Sequence, residues 1–301
     1  MEIAYPESFK NLLNSFSSND VDNYVGQCNP NAKILIIAKE IGMTTDDYKV
    51  RYNVEIRENF KRWCDNERCN YRITNVPDWF DDSIVFEEKY NALAPYYGEL
   101  FLHKKGNNKG TNPTYFAYQK LINSLLPDDQ KANQGSKLNF YNYCFITELS
   151  TNCKPMSGNK PDEATEKSIN KRLINENGIL RHPFFQQFPI IILACYRYVD
   201  LYNIPILSCF GTDEFRYEYK GIIKGQEYYN AFSKELKEKM PLYESNNNLK
   251  KNEFINVHIS DNKKHPHLLL HTNHFCERSN GWIEVVAEEC KKIIEEHNIQ
   301  L

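Results

Sequence analysis

The sequence predicts an α/β protein with a mainly parallel sheet, and three observations indicate this fold. Three apolar runs, residues 33–38, 189–195 and 268–272, have the unbroken pattern of strands that are buried on both faces. Segments with helical periodicity alternate with such runs along the chain. The chain of 301 residues is 41% hydrophobic and 26% charged, which is typical of a globular protein with a full core.

The N-terminal part of the sequence predicts a helix and then the first strand. Four apolar residues share one face at helical spacing: Phe9, Leu12, Leu13 and Phe16. A turn-rich segment at 26–31 leads into the strand at 33–38. Residues 44–110 are aromatic and charged without one clear period, so we expect an irregular insertion there.

The rest of the chain alternates helices and strands. Helices are predicted at 115–126, 161–174, 196–202, 229–240 and 281–296. Strands are predicted at 140–149, 189–195, 204–210, 254–259 and 268–272, the last two joined by a turn at 261–267. This alternation favours a parallel sheet with helices on both faces. No linker is rich enough in Pro, Gly or Ser to force a boundary, so one domain is expected over 1–301.

The net charge and the cysteine content indicate which partners and which cellular compartment to expect. A net charge of −3 provides no bulk attraction to nucleic acid, so any such contact must be local. Nine cysteines without regular spacing are typical of free thiols in a reducing compartment, which predicts a cytoplasmic protein. Residues 1–16 lack the pattern of a secretory signal, and no apolar run is long enough to cross a bilayer.

The ends of the parallel strands are the expected place for a site, because ligands bind beyond the carboxyl ends of such strands. The first strand runs into Lys39, Glu40, Ile41 and Gly42. A carboxylate there could orient water or stabilise a developing cation. The same residues also fit an exposed turn that ends in a glycine.

Four of the eight histidines are close together in the sequence, at 265, 267, 271 and 274. One interpretation is a metal site, since imidazole is a common zinc ligand. Strand alternation opposes it, because it puts His267 and His271 on one face and His274 on the other. The other interpretation makes His265 and His267 turn residues and leaves His271 and His274 for structural hydrogen bonds or acid–base chemistry.

Several common signatures are absent from the sequence. There is no P-loop, no dinucleotide-binding fingerprint and no hydrolase nucleophile elbow. Cys64 and Cys69 have no second pair at matching spacing, so they are predicted to be free thiols.

Three stretches together resemble the uracil-DNA glycosylase superfamily: NPNAKILIIAKEIG at 29–42, FITELSTNCKP at 145–155, and LLLHTNHF at 268–275. The resemblance implies a three-layer α/β/α sandwich around a mainly parallel, four-stranded sheet. It also implies hydrolysis of an N-glycosidic bond of a base in DNA, with the base extruded from the duplex. The iron–sulfur cysteine pattern of some branches is missing, so no cofactor and no metal are expected.

The resemblance also assigns roles to individual residues. Glu40 stands at the position of the water-activating acid, and His274 matches the histidine of the last motif; these two are the predicted catalytic residues. The substrate-binding candidates are Glu148, Asn152, His271, Asn273 and Phe275. The candidate phosphate contacts are Lys39, Lys154 and Arg278. This chain departs from the family by having Glu148 in place of a base-reading Asn, and Phe275 and Cys276 in place of Pro and Ser.

Two other functions remain open at this point. A relative of this fold with altered motifs could bind nucleic acid or protein without turnover. Glu148, and Ile41 in place of the family's Pro, favour this hypothesis. A metal-dependent hydrolase built on the histidines is the third hypothesis.

Overall fold

The structure is a computed structural model. It describes residues 4–43, 51–68, 92–94, 112–154, 160–262, 266–276 and 278–301. These residues form two compact units, each assembled from segments that are distant in sequence. Unit 1 comprises the described residues of 1–97, 141–188 and 198–210, and unit 2 comprises those of 98–140, 189–197 and 211–301. The single domain over 1–301 stays a prediction.

Helices are distributed along the whole described chain. The α-helices are α1 Glu7–Ser15, α2 Asn59–Arg68, α3 Pro113–Leu125, α4 Glu163–Ile169, α5 Pro183–Gln186, α6 Tyr198–Leu201, α7 Ile206–Phe210, α8 Gln226–Asn230, α9 Lys234–Lys239 and α10 Asn280–Glu296. Two π-helical segments occur at Asn53–Arg57 and Asn170–Ile174. Short 3-10 helices occur at Val21–Asn23, Asp128–Gln130, Phe140–Asn142 and Ile179–Arg181.

The strands are β1 Gln27–Cys28, β2 Ile34–Ala38, β3 Cys144–Glu148, β4 Ile190–Leu193, β5 Tyr217–Lys224, β6 Leu242–Ser245, β7 Ile255–Ser260 and β8 Leu268–Thr272. In unit 1, β3 pairs antiparallel with β1 and parallel with β2. Every residue of β2 and of β3 is buried, as their apolar runs require.

A glycine permits the close approach of β1 to β3. Gly26 has φ +132, in the region that only glycine adopts readily, and it precedes β1 directly. A Cβ at this position would lie 2.4 Å from the carbonyl oxygen of Ile146 in β3. Any side chain would therefore push the two strands apart.

Aromatic side chains fill the core of unit 1. Phe9 of α1 meets Trp63 of α2 edge-on at 5.1 Å between ring centroids, and it lies 4.8 Å from Phe184 of α5. Phe145 of β3 meets Phe184 edge-on at 5.2 Å. These contacts hold three helices on one face of the strands.

In unit 2 the strands follow the order β4-β8-β7-β5-β6. β4 pairs parallel with β8, and β5 pairs parallel with β6. β7 is antiparallel to both of its neighbours, β8 and β5. The short connection between β7 and β8 explains their antiparallel pairing, because a parallel pair needs a long crossover.

The α/β class predicted from the sequence is confirmed, but the strand count and the mainly parallel character are not. The described residues contain eight strands. Within the two units, three pairings are parallel and three are antiparallel. The difference comes from β1, β5 and β6, which the sequence did not reveal as strands.

The individual elements follow the predictions in most places. The helices at 115–126, 161–174, 196–202 and 281–296 are confirmed with shifted ends, and 229–240 contains the short helices α8 and α9. The predicted strand at 204–210 is wrong, because this segment forms the helix α7. A short apolar run does not separate a buried strand from a buried helix. The insertion at 44–110 contains α2, and most of its other residues lie outside the described ranges.

Among the described residues, no helix combines the length and the apolar character needed to cross a membrane.

Candidate functional site

Two strand ends lie side by side in unit 1. β2 and β3 are parallel, with Ala38 opposite Glu148. The pairing continues beyond both strands, because the amide of Ser150 donates to the carbonyl of Lys39 at 2.9 Å. A further parallel bridge joins Gly42 to Lys154. The loops that follow the two strands therefore run together away from the sheet.

This arrangement places two carboxyl groups at the same ends of the two strands. Ala38 and Glu148 are opposite each other, Glu40 follows Ala38 by two residues, and the charge of Glu40 acts on Glu148. Both side chains are buried. Burial, and after it the negative charge of Glu40, raises the pKa of Glu148 well above its usual value. Glu148 therefore keeps its proton far more readily than an ordinary carboxyl group.

Tyr198, the first residue of α6, positions Glu40. Its phenol donates a hydrogen bond of 3.0 Å to Oε1 of Glu40. The ammonium group of Lys39 lies 4.8 Å from the centroid of the same ring, as a cation–π contact. No sequence pattern linked Tyr198 to Glu40, because 158 residues separate the two.

An ion pair between Arg51 and Glu55 lies beside the carboxyl groups. Nε of Arg51 donates to Oε1 of Glu55 at 2.8 Å, and Nη1 of Arg51 donates to the carbonyl of Gly42 at 3.1 Å. Glu55 is buried within a π-helical segment, a feature that often occurs at functional sites. The charge of Glu55 raises the pKa of Glu148 further, and Arg51 opposes this effect.

A buried arginine, Arg172, donates hydrogen bonds to the backbone at the end of β3. Nε and Nη2 of Arg172 donate to the carbonyl oxygen of Glu148 at 3.2 and 3.0 Å, and Nη1 donates to the carbonyl of Asp22. One carboxylate oxygen of Asp22 accepts from Thr151 and from Ser168, each at 2.6 Å. Burial lowers the pKa of Arg172 to about 10, so the guanidinium stays charged at neutral pH.

Asn152 and Lys154 contact the start of α4. The amide of Asn152 donates to Asp162 at 3.0 Å and to Thr165 at 3.1 Å. Nζ of Lys154 lies 3.1 Å from the same carboxylate oxygen of Asp162. Asp162 is the N-cap of α4. Asn152 and Lys154, which the sequence predicts to contact a ligand, therefore fix α4 to the loop after β3.

His271 lies in β8 of unit 2, with both ring nitrogens in hydrogen bonds. Nε2 is 2.7 Å from the carbonyl of Tyr196, and Nδ1 is 3.2 Å from the amide nitrogen of Asn256. Because a carbonyl only accepts, Nε2 carries the proton and Nδ1 accepts from Asn256. These contacts hold the ring in one tautomer.

Asn273 and Phe275 are buried at the end of β8. Oδ1 of Asn273 accepts from the amide of Phe254 at 2.9 Å, and its Nδ2 donates to the carbonyl of Asn252 at 3.0 Å. Phe275 lies between Tyr118 and Trp282, whose ring centroids are 4.8 and 5.0 Å away. Both side chains thus join β8 to its surroundings, and their roles toward a substrate stay predictions.

His274 and Arg278 are partly exposed. Nδ1 of His274 accepts from the amide of Cys276 at 3.1 Å, which leaves the proton of the neutral ring on Nε2. Nε of Arg278 donates to the carbonyl of Cys276 at 3.2 Å. His274 therefore has the tautomer needed to donate from Nε2 to an accepting oxygen.

The predicted residues thus divide between the two units. Unit 1 contains Lys39, Glu40, Glu148, Asn152 and Lys154. Unit 2 contains His271, Asn273, His274, Phe275 and Arg278. The sequence analysis did not find five other residues of unit 1 that contact the two strand ends or act on them by charge: Asp22, Arg51, Glu55, Arg172 and Tyr198.

Within the described ranges, no group of three or more His, Cys, Asp or Glu side chains is placed to hold a metal ion. His265 and Cys69, two of the residues weighed as metal ligands, lie outside those ranges.

Comparison with known proteins identifies no relative of this chain: no family model, no curated protein and no solved structure matches it.

Proposed function

We propose that this chain is a divergent member of the uracil-DNA glycosylase superfamily that hydrolyses an N-glycosidic bond of a base in nucleic acid. The observation that supports the proposal is the buried carboxyl pair of Glu40 and Glu148 at the ends of two parallel strands. N-glycosidic hydrolysis needs an ionised carboxylate toward the sugar and a proton or hydrogen-bond donor toward the leaving group.

The two carboxyl groups divide these tasks. Burial, and after it the charge of Glu40, raises the pKa of Glu148, which makes Glu148 the proposed hydrogen-bond donor. Glu40 then acts as the ionised partner, held in place by Tyr198. Different environments of two neighbouring carboxyls are the usual way in which one protein obtains an acid and a base.

The proposed reaction proceeds by attack of water on the sugar. Glu40 accepts a proton from water as the oxygen bonds to C1′ and the bond from C1′ to the base nitrogen breaks. The electron pair leaves with the base, and a hydrogen bond from Glu148 stabilises the resulting charge. The base finally takes up a proton from solvent.

The substrate in this proposal, a base in nucleic acid, rests on the resemblance of the three sequence stretches to the uracil-DNA glycosylase superfamily. The parallel pairs β2/β3 and β4/β8 support it further, since each ends in one of the resembling motifs. His274 and Arg278 in unit 2 are proposed to contact the base and a phosphate.

The test is base release from single- and double-stranded oligonucleotides that carry uracil, hypoxanthine or xanthine. We expect release by the unaltered protein, and a rate lower by about 100-fold or more in Glu40→Gln and in His274→Ala. Glu214→Gln, which changes an exposed carboxylate, is the matched control and should keep the rate. Folded protein that releases no base from any of these substrates would favour a binding module without turnover.

A further inference from the structure

Glu40 receives a hydrogen bond in the interior of unit 1. The phenol of Tyr198 donates to Oε1 of Glu40 at 3.0 Å, and the two residues are only 2% and 7% exposed. A hydroxyl that donates to a carboxylate in a buried place forms a stronger bond than two neutral groups do. The contact with Tyr198 therefore favours the ionised form of Glu40 over the neutral acid.

Lys39 strengthens this donor. Its Nζ lies 4.8 Å from the centroid of the Tyr198 ring. A cation over an aromatic ring is attracted to the ring and polarises it, which makes the phenol O–H a better donor. Lys39 thus acts on a side chain of its own unit, a role that differs from the phosphate contact predicted from the sequence.

Glu148 is held differently from Glu40. Among the residues that the structure describes, Oε2 of Glu148 has no hydrogen-bond partner. The guanidinium of Arg172 donates to the backbone carbonyl of Glu148. The two carboxyl groups are therefore unequal: a hydroxyl stabilises a charge on Glu40, whereas burial opposes a charge on Glu148.

Other titratable or charged groups of unit 1 also interact with the pair. Arg51 and Glu55 form an ion pair of 2.8 Å, so their opposite charges largely offset each other. Burial raises the pKa of Cys153 and of Tyr202, and both stay neutral near pH 7. Arg172 favours a charge on Glu148, but burial outweighs it. The difference between the two carboxyl groups thus depends on the donor at Glu40.

We propose that Tyr198 decides which of the two carboxyl groups is ionised: its phenol, strengthened by Lys39, stabilises the charge on Glu40, and the proton stays on Glu148. Tyr198 is a positioning residue here, because it acts through Glu40. The inference rests on the proposed function for the catalytic roles of the two carboxyl groups, while the distribution of the proton exists without any substrate.

An NMR titration of protein with 13C-labelled glutamate carboxyl groups measures this distribution. The resonances of Glu40 and Glu148 are identified by their loss in Glu40→Gln and in Glu148→Gln. In Tyr198→Phe we expect the titration midpoint of Glu40 to rise by at least about one pH unit, since a hydrogen bond to a charged group is removed. The midpoint of Glu148 should fall in the same variant, because Glu40 then stays neutral to a higher pH.

Tyr202→Phe is the matched control. The ring of Tyr202 meets that of Tyr198 edge-on at 5.0 Å, and its hydroxyl contacts Asp162 and Thr165 at the start of α4. Its loss leaves the Tyr198 phenol in place, so both midpoints should stay close to those of the unaltered protein. Equal shifts in the two tyrosine variants, or unchanged midpoints in Tyr198→Phe that is folded by circular dichroism, would overturn the inference.

A double-mutant cycle tests the part of Lys39. If the cation acts through the phenol, Lys39→Met should raise the midpoint of Glu40 in the unaltered protein and change it much less in the Tyr198→Phe background. Additive shifts in the double variant would show that Lys39 acts on Glu40 directly, and they would refute the part assigned to Lys39.

Base release provides a separate readout. In a protein that hydrolyses the N-glycosidic bond, the acid limb of the pH profile of kcat/KM should move to higher pH in Tyr198→Phe, in step with the midpoint of Glu40. The expected midpoint shifts without release from any oligonucleotide would refute hydrolysis and keep this inference. Release with the same pH profile in both proteins, and with unchanged midpoints, would refute this inference and keep the proposed function.

Discussion

At the scale of single residues, Glu148 couples its protonation to the stability of the protein. Folding raises its pKa above the ordinary value of a carboxyl group, mainly through burial and then through the charge of Glu40. Between those two pKa values the folded protein binds more protons than the unfolded chain, and the free energy of unfolding falls as pH rises.

We predict the sign of this effect for Glu148→Gln. The variant has no proton to lose at position 148, so the stability of the unaltered protein relative to the variant should fall as pH rises above about 4.5, by up to about 1.4 kcal/mol per pH unit. Urea denaturation of both proteins at a series of pH values measures this difference. A constant difference would show that folding does not shift the pKa of Glu148, and a difference that grows with pH would show that folding lowers it.

Arg172 should be among the most sensitive residues of unit 1. Arg172→Met keeps most of the apolar stem, but it leaves the carbonyls of Glu148 and Asp22 without their donors in a buried place. We expect a loss of about 3 kcal/mol or more in the free energy of unfolding. The matched control is Lys171→Met, whose exposed ion pairs with Asp20 and Asp22 should cost about 1 kcal/mol at most. Denaturant unfolding that gives equal losses for the two variants would contradict the supporting role of Arg172.

The residues of the carboxyl site differ in how far the sequence could predict them. Glu40 lies two residues after β2 and Glu148 is the last residue of β3, and the rule that sites lie at the ends of parallel strands selects both. Tyr198 and Arg172 reach the same place from segments 158 and 24 residues away. Such contacts depend on the tertiary fold, which local sequence patterns do not predict.

At the scale of elements, the start of the last helix shows how one side chain links a helix to a strand. Ser279 caps α10 by accepting from the amide of Trp282 at 3.2 Å, and its hydroxyl donates to Glu253 at 2.7 Å. Glu253 also accepts from the amide of Ser279 at 2.9 Å. The cap therefore fixes α10 to the segment that precedes β7.

Ser279→Ala should lower the free energy of unfolding by about 1–2 kcal/mol, because it removes both hydroxyl hydrogen bonds. Ser124→Ala is the control: this hydroxyl donates to the carbonyl of Lys120 inside α3, a bond that contributes little to a helix. Thermal and urea unfolding of both variants would test this. A loss for Ser124→Ala equal to that for Ser279→Ala would contradict the capping role.

The predicted elements were those with a strong local pattern. β2, β4 and β8 are apolar runs, and α10 has an amphipathic period, so the sequence identified all four. β5 and β6 have exposed, charged residues within them, so their sequences resembled loop or helix. Pairing with neighbouring strands stabilises β5 and β6. The intrinsic strand propensities of their residues do not predict this pairing.

At the scale of the whole molecule, the sequence predicted the class but not the sheet. Alternation of strands and helices indicates α/β, and the structure has that class. The four-stranded, mainly parallel sheet is wrong because β1, β5 and β6 are additional strands and because β1 and β7 pair antiparallel with their neighbours.

The discontinuous build of unit 2 also affects how the protein is made. β4 pairs with β8, which follows it at residues 268–272, so one side of β4 has no partner while the ribosome is still translating the intervening segment. At about 5–20 residues per second this interval lasts several seconds. During that time Ile190–Leu193 is a bare apolar strand edge of the kind that nascent chains expose to chaperones. A ribosome stalled before residue 268 should therefore carry a chain that holdase chaperones bind and release only after synthesis resumes.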